Sequence, residues 1–183
     1  MSILVHTCCA DCLLHLVEGL EGKVAKEEMV IYFDNPNIHP RAEMLSRLIA
    51  VNKVALDLGI NKVIVADWEP KKYFEAIGKN ISKPVRCENC LKLRMTRLFK
   101  KAQELGVKAV TSTMLTSNYL NSKMIEEYGG KLAKETGVEL IIPKKCSSSC
   151  EHKGFYKQNY CGCVYSLRER MEEKYFTPKS RQD

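Results

Sequence analysis

The stretch Ile3-Leu4-Val5-His6-Thr7-Cys8-Cys9-Ala10-Asp11-Cys12-Leu13-Leu14 decides the architecture. Three apolar residues make a short strand, a polar turn carrying three cysteines follows, and the spacing of Leu13, Leu14, Leu16, Val17 and Leu20 predicts a helix. The same order recurs outward along the chain. Residues 29–33 read as a second strand, Asp34-Asn35-Pro36-Asn37 as a loop, and 41–58 as an amphipathic helix stopped by Gly59. Further strands are predicted at 62–65, 107–111 and 138–142. Helices are predicted at 70–77, at 87–105 and within 123–136, where Gly129-Gly130 marks a place for a break. Alternating strands and helices argue for a parallel sheet with helices on both faces. Such sheets bind ligands beyond the carboxyl ends of their strands, near a topological switch point, and the first cysteine turn lies at such an end. The expected organisation is one α/β domain over 1–173, with 144–165 as a cysteine-rich lid or insertion and 174–183 as a flexible tail.

With 45% hydrophobic and 28% charged residues among 183, the chain can bury a core of its own. No apolar run approaches the roughly 18 residues that cross a bilayer. The first residues lack a basic region and a small-residue cleavage site, so they read as a strand and not as a signal peptide. A cytoplasmic protein without a membrane partner is expected. In that reducing compartment nine cysteines, an odd number, argue for metal binding or redox chemistry over a disulfide framework. The net charge of +7 favours a polyanionic partner such as nucleic acid.

Five thiols fall into two groups, Cys8, Cys9 and Cys12 with Cys87 and Cys90. Four suffice for an iron-sulfur cluster, and a helix N-terminus offers N–H groups and a positive dipole end that favour thiolate. The same spacing would serve a structural zinc. The groups are 75 positions apart, Cys12 to Cys87, in a chain with its own core, and a fifth thiol beside Asp11 exceeds what a closed tetrahedral site uses. Surplus ligands favour a reactive centre. Cys161-Gly162-Cys163 reads as a redox pair, because one intervening residue grips a metal poorly but can close into a strained disulfide; two incidental thiols on a turn are the alternative. Cys146 and Cys150 fit a metal, a second redox pair or no function. Among the histidines His6 is best placed for a role at the site, whereas His15 and His39 read as structural. Lys92, Arg94, Arg97, Lys100 and Lys101, extended by Arg86, read as a basic stripe opposite the apolar face of the 87–105 helix, either solvated or guiding phosphates.

At these residues the sequence resembles the QueH family of epoxyqueuosine reductases. The resemblance rests on His6-Thr7-Cys8-Cys9-Ala10-Asp11-Cys12, Arg86-Cys87-Glu88-Asn89-Cys90-Leu91-Lys92-Leu93-Arg94, Thr111-Ser112-Thr113-Met114-Leu115-Thr116-Ser117 and Tyr160-Cys161-Gly162-Cys163-Val164-Tyr165-Ser166. Asp11 stands where many members carry proline. The resemblance implies a three-layer Rossmann-like parallel sheet of the PP-loop and adenine-nucleotide hydrolase type, with the cysteine turn replacing the phosphate loop. It implies reduction of epoxyqueuosine in the tRNA anticodon loop to queuosine, without cobalamin and with an unidentified electron donor. It implies a [4Fe-4S] cluster on Cys8, Cys9, Cys87 and Cys90, a redox disulfide of Cys161 with Cys163, and an additional iron; Asp11 and Cys12 are the candidates for its neighbourhood. Two other classes compete. An ATP-using PP-loop tRNA-modifying enzyme needs a glycine- and serine-rich loop after the first strand, and residues 6–12 contain neither residue. A zinc-stabilised RNA-binding protein leaves the surplus thiols and Cys161-Gly162-Cys163 unexplained.

Overall fold

A computed structural model describes residues 2–117, 120–144 and 154–176. Five strands, β1 (Ile3–His6), β2 (Met29–Phe33), β3 (Val63–Val65), β4 (Ala109–Ser112) and β5 (Glu139–Leu140), form one sheet in the order β3-β2-β1-β4-β5. Every pairing is parallel, with Ile3 opposite both Met29 and Ala109. The helices are α1 (Ala10–Gly19), α2 (Arg41–Asp57), α3 (Pro70–Ile77), α4 (Val85–Glu104), α5 (Ser122–Thr136) and α6 (Val164–Tyr175), and a single 3-10 turn precedes β2.

The three interior strands, β2, β1 and β4, are buried along their whole length, which requires cover on both faces. Alternation supplies it. Ile3 and Val5 of β1 with Ile31 and Phe33 of β2 meet Leu13, Leu16, Val51 and Val54 of α1 and α2. Leu4, Val30 and Tyr32 point the other way, onto Leu91, Met95, Leu98 and Phe99 of α4 and Ile125 and Leu132 of α5. The result is a three-layer sandwich. From β1 the chain moves outward through β2 to β3, then returns to lay β4 on the other side of β1. The switch point therefore lies between β1 and β4, at the carboxyl ends of both, where the turn carrying Cys8 and Cys9 emerges.

Three features differ from the sequence reading. The helix α5 runs unbroken through Gly129-Gly130. A Cβ on Gly129 would lie 2.6 Å from Leu140 and 2.8 Å from Met95, so this glycine permits a close helix–sheet approach and does not mark a break. A sixth helix, not among those predicted, occupies 164–175, and none of its residues is buried. Of the polar tail expected at 174–183, Lys174 and Tyr175 still belong to this helix. The arginines assigned to a basic stripe on α4 point inward: Arg86 and Arg94 are buried, and Arg97 binds the buried Asp34 carboxylate through two N–H groups at 2.6 and 2.9 Å. Arg97 also reaches Glu69 at 3.1 Å, tying α4 to the loops after β2 and β3.

Candidate metal and redox centre

Cys9 caps the N-terminus of α1 in extended geometry, with Cys8 before it and Cys12 one turn into the helix. The three sulfurs lie within 4.8 Å of one another, a spacing at which they could share a metal. Cys8 and Cys9 are buried. The loop after β4 fixes the turn: the Cys8 N–H donates to the Thr113 hydroxyl at 3.1 Å, and that hydroxyl lies 3.3 Å from the Cys8 sulfur. Thr116 donates to the Cys12 carbonyl at 3.4 Å. Hydrogen bonds from Cys12 and Cys9, reinforced by Arg94 and Thr113, hold the Cys8 thiol well below the usual range despite burial. Donation to Cys8 and Cys9, together with burial, pushes Cys12 well up. The hydrogen bonds of the triad thus converge on the Cys8 sulfur.

Cys87 and Cys90 occupy the first turns of α4 and do not join this 4.8 Å group. Arg94, one turn beyond Cys90, links the two sets. Its guanidinium donates to the Asn35 side chain at 3.0 Å, and Asn35 donates to the Thr7 carbonyl at 2.8 Å, next to Cys8. Its charge is felt at Cys8, Cys90 and Cys161. Arg94 is 2% exposed, its Nε has no hydrogen bond, and among the described residues it pairs with no carboxylate. A buried cation without a carboxylate demands another anion nearby, and sulfurs from three segments are what surround it.

The third segment is Cys161-Gly162-Cys163, whose thiols are 3.7 Å apart and unbonded. The Cys163 side chain also accepts from the Ser166 N–H at 3.3 Å, capping α6. The hydrogen bond from Cys163 lowers Cys161 to about 5, and donation to Cys161 raises Cys163 strongly. Cys90, Cys161 and Tyr165 pack on Tyr73, Ile77 and Cys163. Arg47 of α2, 1% exposed, props this loop up: it donates to the Cys161 and Tyr160 carbonyls, both at 3.3 Å, and is itself held by Glu43 at 2.7 Å. The loop also meets the His39 N–H at Gly162, 2.9 Å. Arg86 binds Glu169 of α6 at 2.7 Å and lies over the Tyr165 ring, fastening the segment beside Cys87.

A sequence profile described as epoxyqueuosine reductase QueH matches residues 3–169. The chain belongs to the QueH family. Proteins named epoxyqueuosine reductase QueH resemble it from Helicobacter pylori, 31% identical over 96% of this chain, and Thermotoga maritima, 31% identical over 94%. Another, from Dehalococcoides mccartyi, is 30% identical over 93%. The chain spans 52% of the Helicobacter protein, but 93% and 94% of the other two. Among the segments that carry the resemblance is 111–117, whose Thr113 and Thr116 hold the first cysteine turn. Three converging sulfurs, two of them buried, with a buried cation nearby suit a metal in this QueH chain.

Asp11 does not join the 4.8 Å sulfur group: its carboxylate meets Lys157 at 2.9 Å and His15 at 3.8 Å. His6 is a lock in the sheet, with Nδ1 2.8 Å from the Ser112 hydroxyl and Nε2 3.1 Å from the Asp34 carbonyl. Cys146 and Cys150 lie outside the described residues, as do residues 145–153 of the expected lid. Sequence reasoning missed Arg47, Asn35 and Tyr73. Arg47 sits on the apolar face of α2, between Met44 and Ala50, both buried, and that placement was a readable signal. Asn35 and Tyr73 gave none, since their roles arise from loop and α3 positions that only the tertiary fold sets.

Proposed function

We propose that this chain reduces epoxyqueuosine in the anticodon loop of tRNA to queuosine, the last step in making that nucleoside. The observation that carries the reading is the convergence of a largely buried sulfur triad, the α4 cysteines and a largely buried dithiol on Arg94, which is buried and pairs with no carboxylate among the described residues. The names of the relatives support the reaction. Cys8, Cys9, Cys87 and Cys90 would hold a [4Fe-4S] cluster, with Asp11 and Cys12 near an additional iron. When bound, the cluster supplies electron transfer in single steps.

The chain's own residues supply the rest. Oxidation of the Cys161/Cys163 dithiol to a disulfide releases two electrons and two protons; the epoxide takes up both, its two C–O bonds break, and alkene and water result. A cellular electron donor must then re-reduce the disulfide. Arg94 stabilises thiolate charge between the sulfur groups, and burial keeps water from the reacting sulfurs. The target base lies in a single-stranded loop, so it can enter a pocket without melting a helix. The fold is of the PP-loop and adenine-nucleotide hydrolase kind, with the cysteine turn where a phosphate loop would sit, in a single cytoplasmic domain over 1–173.

Anaerobic purification, metal analysis and an assay on tRNA containing epoxyqueuosine test this. Brown protein with broad absorption near roughly 400 nm is expected, with iron-dependent conversion in the absence of cobalamin. Cys87→Ala should lose both iron and turnover. A colourless zinc protein, or a Cys87→Ala variant with normal iron and turnover, overturns the reading.

A further inference from the structure

The loops after β2 and β3 bring aromatic rings together at the carboxyl edge of the sheet, beside the dithiol and outside every cysteine group. His39 stacks on Phe74, with ring centroids 5.0 Å apart and planes at 28°, and its ring lies 6.2 Å from that of Trp68. The indole N–H donates to the Ile38 carbonyl at 3.0 Å, which fixes the Trp68 ring in place. The Arg41 guanidinium lies 6.0 Å from the indole centroid. Tyr73, fully buried, supports the group from within, 5.1 Å from His39 and edge-on to Phe74 at 5.2 Å.

These rings are not simply core. Phe74 is 42% exposed and Trp68 only half-buried, so apolar surface is left in water at a cost of about 25 cal/mol per Å². The cluster is joined to the reaction centre by two links: the His39 N–H donates to the Gly162 carbonyl at 2.9 Å, and Tyr73 packs on Cys163. Two partly exposed rings, Phe74 and Trp68, with a guanidinium over the indole, on a protein of net charge +7, have the chemistry of a stacking surface for nucleobases, since every base offers a π-face. Sequence-specific RNA recognition uses such rings to hold unpaired loop bases.

We propose that Trp68 and Phe74, backed by the buried His39 and with Arg41 over the indole, form a stacking platform for one unpaired nucleobase of the substrate RNA loop. Seating that base would carry its neighbour toward Cys161 and Cys163. The inference rests on the proposed reaction for the identity of the RNA, but not for the existence of the platform.

The test uses the anaerobically purified protein and a labelled, unmodified anticodon hairpin, with binding read by fluorescence anisotropy. Phe74→Ala and Trp68→Ala should each weaken binding about tenfold, the scale of one lost stacking contact, whereas Trp68→Phe keeps a ring and stays near wild type. Iron content and circular dichroism establish that each variant is folded. Trp68 is the only tryptophan, so its emission reports the site directly, and quenching should saturate together with the anisotropy. On tRNA containing epoxyqueuosine, Phe74→Ala should raise KM and leave kcat nearly unchanged. Unaltered affinity in both alanine variants, with no change in emission on binding, overturns the platform. If the wild type binds the hairpin through these rings yet forms no queuosine, the reaction falls and the platform stands. If Phe74→Ala turns over with wild-type KM, the platform falls and the reaction stands.

Discussion

The two buried thiol centres are held in different ways. The turn with Cys8, Cys9 and Cys12 is an extension of the sheet: the Thr7 N–H donates to the Tyr32 carbonyl and the Thr113 N–H to the His6 carbonyl, both at 2.9 Å, continuing the ladders of β1 with β2 and β4. The Cys161-Gly162-Cys163 loop belongs to no sheet. It docks through side chains and single backbone contacts, chiefly Arg47, Glu169 with Arg86, and the His39 N–H. The first centre is therefore as rigid as the core strand that carries it, while the second can be loosened without unfolding anything. A site that keeps its metal ligands fixed while its dithiol reacts gains from that division.

Replacing one sulfur in each centre breaks the comparison most severely. Cys8→Ala should lose iron and turnover together. Cys161→Ser should keep iron, colour and melting temperature while turnover drops by about three orders of magnitude or more, the scale seen when one member of a catalytic unit is removed. Parallel iron analysis and product assay decide it; loss of iron from Cys161→Ser would show that the two centres are one.

A smaller effect comes from the backbone of the docked loop. Gly162 has φ +113°, a conformation that L side chains avoid, and a Cβ there would lie 3.0 Å from Ile38 Cγ1 and 3.2 Å from Arg47 Nη1. Gly162→Ala should displace the dithiol and reduce turnover by up to about a hundredfold, as expected for an ångström-scale misplacement, with iron unchanged. Arg47→Lys sharpens the same point from the other side. Lysine cannot hold the Tyr160 and Cys161 carbonyls together while remaining paired with Glu43, which also accepts from Tyr156. Turnover should fall about tenfold, for roughly 1–2 kcal/mol of lost anchoring, again without loss of iron.

Much of the first centre was legible in sequence and little of the second. All five strands lie where alternation and turn residues placed them, because a buried parallel strand is a short apolar run that little else imitates. The strand order could not be read, since local periodicity carries no information about which strand returns beside β1. The stripe on α4 was misread because helical spacing shows which residues share a face but not that Arg86, Arg94 and Arg97 find buried anions and carbonyls there. The helix α6 escaped because its stability comes from pairs such as Arg168–Glu172 and from the tie of Glu169 to Arg86. The sulfur triad was visible as three cysteines in five positions, whereas the support of the dithiol by Arg47 spans 114 positions of chain.

The mildest prediction concerns the sheet end that carries the first centre. Burial lowers His6 from its ordinary 6.5 to about 4, outweighing the Cys8 and Asp34 charges that would raise it. The neutral ring suits both partners, with Nε2–H donating to the Asp34 carbonyl and Nδ1 accepting from Ser112. Because the folded pKa is depressed, the unfolded chain binds the extra proton between these values. The contribution is fully present above about pH 6.5 and is lost progressively as the pH falls toward 4. Between about pH 7.5 and 6 the loss from His6 should be only about 1 kcal/mol, read as a shift of the urea midpoint at constant slope. Cys161, lowered from its ordinary 9.0 to about 5, adds a dependence of the same sign that begins at higher pH. A His6→Gln variant should therefore lose only the part of the profile below about pH 6.5, while Cys161→Ser should weaken the part above about pH 7, where His6 contributes nothing. A His6→Gln variant with the wild-type slope between about pH 6 and 5 would mean that the sheet end does not set acid stability.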